Sequence, residues 1–184
     1  SLLGEIQSGH LEQVGYDTYC NLLDEVVKEM KGIEIEEDVD IQIDLNVSSY
    51  IPEEYISDGS QKIEIYQDIA LCKNEENIQD VTDEIIDRFG NPPEEIENLL
   101  DIARIKYLAK ALNIIKIQSK KTFVMFTFGN SKINIDINHL VEKYGTKIKF
   151  SAGVKPMITL DIGSTNERQI LNDTTEFLKI SNNI

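Results

Sequence analysis

The segment from Pro93 to Leu112 constrains the fold more than any other part of this sequence, because it predicts a helix with two apolar faces. At about 100° per residue, its apolar side chains fall into two stripes on nearly opposite sides. The stripes are Ile96, Leu99, Leu100, Ala103, Tyr107 and Ala111, and Ile102, Ile105, Ala109 and Leu112. A helix apolar on two sides is buried on two sides, so we predict a central helix that joins two halves of the chain.

The charge changes sign along this helix. Residues 34–101 hold 21 acidic and 3 basic side chains, whereas residues 102–160 hold 2 acidic and 11 basic ones, within a chain of net charge −15. Such asymmetry indicates either an interaction surface or simply two solvated faces. Because a net negative chain repels phosphates, DNA binding by this chain alone is not expected.

The sequence before the central helix predicts one strand and three helices. Residues 39–47 alternate apolar and polar side chains, which is typical of a strand with one solvated face. Helical periods occur at 16–31, 63–73 and 77–89, and Gly90 ends the last of them.

The sequence after the central helix predicts strands and two more helices. The expected strands are 114–118, 122–128, 132–136 after a turn at 129–131, 147–150 and 157–162. The apolar faces of the helices are Ile137, Leu140, Val141 and Tyr144, and then Ile170, Leu171, Thr174, Phe177 and Leu178. The predicted architecture is α+β, with a small, mostly antiparallel sheet covered by helices and a central helix buried on two sides.

Residue types suited to catalysis or metal binding are scarce. Cys20 and Cys72 lack C-x-x-C spacing, and His10 and His139 have no partner at ligand spacing. No phosphate-binding glycine motif or nucleophile elbow occurs. We therefore expect no metal site and no catalysis within this chain. The absence of a membrane-spanning apolar run and of a disulfide framework predicts a cytoplasmic location, and the start without a methionine suggests a piece of a longer chain.

The helix predicted at 77–89 has one strongly acidic side. Its core stripe is Ile78, Val81, Ile85 and Phe89, and the opposite side, here called the acidic face, is Asp80, Asp83, Glu84 and Asp87. Like charges at i,i+4 destabilise a helix by about 0.2–0.5 kcal/mol per pair, and only Arg88 is nearby to offset them. The acidic face is either solvated surface or a docking site for a basic partner.

Residues 102–160, here called the basic third, interleave lysines with aromatic side chains. This pattern can indicate binding of single-stranded nucleic acid by stacking. Phe123, Phe126 and Phe128 fall inside apolar runs, however, so we favour a sheet core flanked by solvated lysines. Nucleic-acid contact by this basic third, through Lys147 and Lys149, is the alternative function.

Several motifs resemble the bacterial transcription-repair coupling factor family. The strings LGEIQSGH at 3–10 and VGY at 14–16 resemble the end of the translocation motif that this family shares with the RecG helicase. Further blocks resemble the C-terminal domain of the family. They are SYIP at 49–52 with YI at 55–56, YQDIA at 66–70, EIIDRFG at 84–90 and LLDIAR at 99–104.

The resemblance implies a regulatory role. Proteins of this family are ATP-driven DNA translocases that push stalled RNA polymerase and recruit the excision-repair protein UvrA. Residues 1–33 would then end the motor region, and residues 34–184 would form a C-terminal regulatory domain with an acidic helical half at 34–101 and a basic β-rich half at 102–184. In the family this domain docks on an N-terminal UvrB-like module, masks the UvrA-binding surface and restrains the motor.

The resemblance also implies roles for single residues. Glu84 and Asp87 would contact basic residues of the UvrB-like module, from the acidic face that they share with the other two carboxylates. Gln7 and Gly9 would belong to the translocation motif. No cofactor is implied for this chain, whereas ATP, magnesium and DNA contact are implied for the motor of the parent protein. UvrA and RNA polymerase are indirect partners, and no membrane partner is implied.

Overall fold

The computed structural model describes residues 41–184, so the helix predicted at 16–31 lies outside the described part. The elements in chain order are β1 (Gln42–Asp44), α1 (Gly59–Ala70), α2 (Glu75–Phe89), α3 (Glu94–Ala111), β2 (Ile114–Lys120), β3 (Phe123–Phe128), α4 (Ile137–Tyr144), β4 (Ile148–Ser151), β5 (Met157–Asp161) and α5 (Glu167–Ser181). They form two compact units: unit 1 contains residues 48–104, and unit 2 contains residues 41–47 and 105–184.

Unit 1 is built from α1, α2 and the first part of α3. The Asp58 side chain accepts a hydrogen bond from the N–H of Gln61 at 2.9 Å, so α1 begins earlier than the predicted residue 63. Asn74 caps α2 in the same way through the N–H of Asn77 at 2.8 Å. The core of the unit is rich in isoleucine and includes Ile51, Ile56, Ile65, Ile69, Ile78 and Ile85.

The central helix α3 has buried residues on both predicted stripes, although in the first stripe Tyr107 is half-buried and Ala111 is exposed. Ile96 and Leu99 on the first stripe, and Ile105 and Ala109 on the second, are fully inaccessible to solvent. After α3, Asn113 adopts the left-handed backbone conformation, with φ of 59°. Asparagine tolerates this conformation better than most residues and therefore ends the helix before β2 begins.

Unit 2 contains a five-stranded sheet in the order β1-β2-β3-β5-β4. β1 pairs with β2 in parallel, with Ile43 opposite Ile117, and all other pairs are antiparallel. The buried face of the sheet includes Val124 and Phe126, and α5 covers it where Phe177 stacks on Phe126 with ring centroids 4.4 Å apart. The predicted α+β architecture, with a mostly antiparallel sheet covered by helices, is confirmed.

The strand predicted at 132–136 is wrong. Residues 132–136 form no strand, because β3, the partner that a hairpin would need, already pairs with β2 on one side and with β5 on the other. The hairpin turn lies earlier, between β2 and β3, where Lys121 has a φ of 55°. The Gly129-Asn130-Ser131 signal marks the end of β3 and not a hairpin.

The apolar face predicted for α4 is only partly buried. Leu140 is fully enclosed, whereas Ile137 and Val141 are 42% and 46% exposed. Lys143 forms an ion pair with Glu176 of α5 at 3.4 Å, which places α5 beside one flank of the helix. Ile137 and Val141 lie on the other flank, which the described residues cover only in part.

Candidate docking surface on the acidic helix

Helix α2 separates an apolar core side from a charged solvent side. Ile78, Val81 and Ile85 are buried as predicted, while Phe89 at the C-terminal end is half-buried. On the acidic face, Asp80, Asp83 and Asp87 are exposed and Glu84 is partly exposed.

Glu84 differs from the other acidic-face residues because it lies on the flank next to α1. Arg88 donates a hydrogen bond to Glu84 at 3.1 Å and another to Glu64 of α1 at 3.0 Å. Arg88 therefore neutralises charge at this flank. Among residues 41–184, no ion pair joins the other three carboxylates of the acidic face to a basic side chain.

Three carboxylates meet between α1 and α2. Oxygen atoms of Glu64, Asp68 and Glu84 lie within 4.8 Å of one another. Burial raises the pKa of Asp68 above its ordinary value, and the charges of Glu84 and Glu64 raise the pKa further, whereas the Arg88 guanidinium lowers it. The three groups could offer oxygen ligands to a cation, but Arg88 already binds two of them.

Both ends of α2 are fixed by contacts within unit 1. At the N-terminal end, Arg104 of α3 binds the carboxylate of Glu75 through two hydrogen bonds, of 2.7 and 2.8 Å. At the C-terminal end, the hydroxyl of Tyr55 donates to the carbonyl oxygen of Gly90, and the Tyr55 ring packs against Phe89 at 6.1 Å. The acidic face is therefore held on a helix whose ends are anchored, which limits the entropy lost when a partner binds.

Comparison with known proteins identifies the family. The TRCF domain family matches residues 45–140, which is more than half of the chain. The chain belongs to the TRCF domain family.

Several relatives of this TRCF domain are named transcription-repair-coupling factor. The protein of Staphylococcus epidermidis is 39% identical over 142 residues, covering 75% of this chain and 12% of that protein. The protein of Bacillus subtilis (strain 168) is 37% identical over 153 residues, covering 80% and 13%. The protein of Staphylococcus aureus (strain USA300) is 42% identical over 122 residues, covering 65% and 10%. The matched region is therefore about an eighth of the length of these relatives.

A solved structure has the same fold. The crystal structure of the C-terminal domain of a transcription-repair coupling factor matches with a TM-score of 0.68 and 24% sequence identity, over 78% of this chain and 94% of that chain. The resemblance inferred from the sequence motifs is thus confirmed at the level of family and fold.

The sequence blocks of the TRCF domain make hydrogen bonds within unit 1. The block at 66–70 contains Tyr66, whose hydroxyl accepts the N–H of Ile51 at 2.8 Å. The block at 99–104 contains Asp101, which accepts a hydrogen bond from Arg104 at 2.6 Å. The block at 84–90 forms the C-terminal half of α2. These blocks therefore contribute to the scaffold of unit 1 and include two residues of the acidic face, Glu84 and Asp87.

The sequence alone missed three residues around the acidic face. Glu64 and Asp68 are spaced i,i+4 on α1, a signal visible in the sequence, but nothing there showed that α1 lies beside Glu84. Ile86 is 43% exposed on α2 and places an apolar side chain next to the carboxylates. Gln7 and Gly9 of the translocation motif lie outside the described residues.

Removing the Asp68 carboxylate is expected to stabilise the TRCF domain at neutral pH. Because the pKa of Asp68 is raised in the folded state, folding favours the protonated form. Protonation of Asp68 therefore contributes to the free energy of unfolding. This contribution has its full value below the ordinary pKa of about 3.8 and is lost as the pH rises through the folded-state pKa. Asp68→Asn should therefore unfold at a higher urea concentration than the unsubstituted chain at pH 7. Urea titrations in which this difference is the same at acidic pH would contradict the argument.

Within residues 41–184, Cys72 carries the only thiol and His139 the only imidazole. Burial, together with Asp68, Asp80 and Glu75, raises the pKa of the Cys72 thiol to about 11, so the thiol is protonated at neutral pH and a poor nucleophile. His139 is exposed on α4.

Within residues 41–184, no helix is both long enough and apolar enough to cross a membrane.

Proposed function

We propose that this TRCF domain is the non-catalytic C-terminal regulatory domain of an ATP-dependent DNA translocase that couples transcription to nucleotide excision repair. The domain docks through the acidic face on the N-terminal UvrB-like module of its parent chain. Docking masks the UvrA-binding surface of that module and restrains the motor. Membership of the TRCF domain family supports this proposal, as do the names of the relatives.

The observation that argues most strongly for docking is the imbalance of charge on α2. Asp80, Asp83 and Asp87 are exposed along one side of the helix, and within residues 41–184 their charges have no basic ion-pair partner. Their mutual repulsion destabilises the isolated helix. A basic surface on a partner would relieve this repulsion, and complementary charge would also speed and orient the encounter.

The proposal extends to parts of the parent protein outside the described residues. Residues 1–33 would end the motor region, with Gln7 and Gly9 in its translocation motif, and residues 34–184 would be the regulatory domain. The motor would use ATP and magnesium and would contact DNA. UvrA and RNA polymerase would be partners of the parent, which would act in the cytoplasm.

Charge reversal on the acidic face tests the docking. The chain is titrated against the separately produced N-terminal module of its own parent protein, with isothermal calorimetry as the readout. Asp83→Lys combined with Asp87→Lys is expected to weaken binding by roughly tenfold or more at low salt, because two attractive charge interactions become repulsive. Binding by the unsubstituted chain should also weaken as salt is added.

A matched control distinguishes a specific effect of the acidic face on binding from an effect of the net charge of the chain. Glu54→Lys combined with Glu97→Lys makes the same charge change at two exposed positions of unit 1 outside α2. This control should bind almost as tightly as the unsubstituted chain. If both double variants lose the same affinity, or if the unsubstituted chain does not bind the module, docking through the acidic face is wrong.

Contact with nucleic acid by the basic third is the second candidate function. It is favoured by the exposed side chains of Lys147 and Lys149 at the edge of the sheet in unit 2. Such contact predicts salt-dependent binding of DNA by the chain, which neutralisation of both lysines would abolish. A titration with single- and double-stranded DNA that stays flat at low salt would exclude it.

A further inference from the structure

The strand β4 leaves one edge of the unit 2 sheet open. β4 pairs with β5 alone, with Ile148 opposite Leu160 and Phe150 opposite Ile158. Within the described residues no strand lies on the other side of β4, so in that part of the chain the backbone N–H and C=O groups along this side have no strand partner. An open edge can accept one more strand from another chain through main-chain hydrogen bonds.

Helix α4 places apolar side chains beside this edge. α5 lies on one flank of α4, as the Lys143–Glu176 ion pair of 3.4 Å shows, and α4 also packs beside β4. At about 100° per residue, Lys143 marks one flank of α4, and the opposite flank is turned away from α5. Ile137 and Val141 are on that flank and are 42% and 46% exposed.

The two faces of β4 differ in chemistry. Phe150 lies on the same face as the buried Ile148 but is 41% exposed. Lys149 points to the opposite face because side chains alternate along a strand, and Lys149 is exposed. A strand added at this edge would therefore meet apolar groups on one face and positive charge on the other.

We propose that the open edge of β4 binds an extended peptide segment of a partner in which apolar and acidic residues alternate. The apolar residues pack against Phe150 and the exposed flank of α4, and an acidic residue on the other face of the added strand pairs with Lys149. We do not propose a second copy of this chain as the bound strand. Pairing of two β4 edges would place lysines opposite or near each other, and like charges on paired strands are unfavourable. This site lies in unit 2 and does not depend on the acidic face.

A designed peptide tests the proposal on the full chain. The probe is a short fluorescein-labelled peptide of alternating valine and glutamate, and its fluorescence anisotropy is followed as the protein is added. Saturable binding is expected, with amide NMR shifts concentrated in β4 and α4. Lys149→Glu should weaken binding roughly fivefold and should improve binding of a valine and lysine peptide by a similar factor. Phe150→Ser should weaken binding of both peptides.

Lys120→Glu is the matched control, because Lys120 is an exposed lysine at the end of β2. It should leave affinity for the valine and glutamate peptide nearly unchanged, and circular dichroism should show every variant folded. The proposal is wrong if the probe does not saturate, if Lys149→Glu and Lys120→Glu have equal effects, or if the shifts lie outside β4 and α4. Displacement of the peptide by a single-stranded oligonucleotide of any sequence would instead assign the edge to nucleic acid.

Discussion

Replacing Phe177 with alanine is expected to lower the free energy of unfolding by about 3–5 kcal/mol, the range found for large aromatic side chains in well-packed cores. Phe177 is fully buried in unit 2 and stacks on Phe126 with ring centroids 4.4 Å apart. The ring of Tyr144 packs against it at 5.8 Å. The truncation removes the contacts by which α5 covers the sheet, and it leaves a cavity that β-strands cannot easily close. Urea unfolding followed by circular dichroism measures the loss.

Phe123→Ala provides the comparison for this substitution. Phe123 begins β3 on the opposite face of the sheet and is 37% exposed. Because much of its surface already contacts water, truncation should cost less than half as much as at Phe177. Equal losses at the two positions would show that α5 contributes little to the core of unit 2.

Replacing Arg104 with alanine is expected to cost about 2–3 kcal/mol in unit 1, because the substitution leaves a largely buried carboxylate without its guanidinium partner. Arg104 is 19% exposed and Asp101 is 15% exposed, with a hydrogen bond of 2.6 Å between them. Arg104 also binds Glu75 at the start of α2 through two parallel hydrogen bonds. Lysine cannot reproduce this two-pronged geometry, so Arg104→Lys should recover only part of the loss.

Arg88→Ala tests whether the burial of Asp101 is the reason why removal of Arg104 is expected to cost so much stability. Arg88 bridges Glu64 and Glu84 in the same unit, but both carboxylates are much more exposed than Asp101. Its removal should shift the urea midpoint far less than removal of Arg104, since exposed ion pairs are screened by water. The explanation fails if the two arginine variants are equally destabilised.

The features that depend on residues close together in sequence could be predicted. Helical period alone placed Ile78, Val81 and Ile85 in the core and Asp83 and Asp87 on the opposite side, as the structure shows. The same geometry gave the two buried faces of α3. In each case a single helix and its rotation per residue were sufficient.

The features that depend on neighbours in space could not be predicted. The carboxylates of Glu64 and Asp68 are distant from Glu84 in sequence, and only the packing of α1 beside α2 brings them together. The hairpin turn at Lys121 could not be predicted from the sequence, because lysine is not a typical turn residue. Its backbone is nevertheless left-handed, with a φ of 55°. Residues 132–136 alternate like a strand, but a hairpin with β3 needs a free side of β3, and β2 and β5 occupy both sides.

The parallel pairing of β1 with β2 has a consequence for the order of events during synthesis. Ile43 must find Ile117, and the whole of residues 48–104 emerges from the ribosome between them. Those residues have their own core and can fold first. During this time β1 remains unpaired, because β2 has not yet been synthesised. Such long-range pairing is slow because the intervening chain must be brought into a loop. The sheet of unit 2 is therefore expected to form late, after unit 1 has already folded.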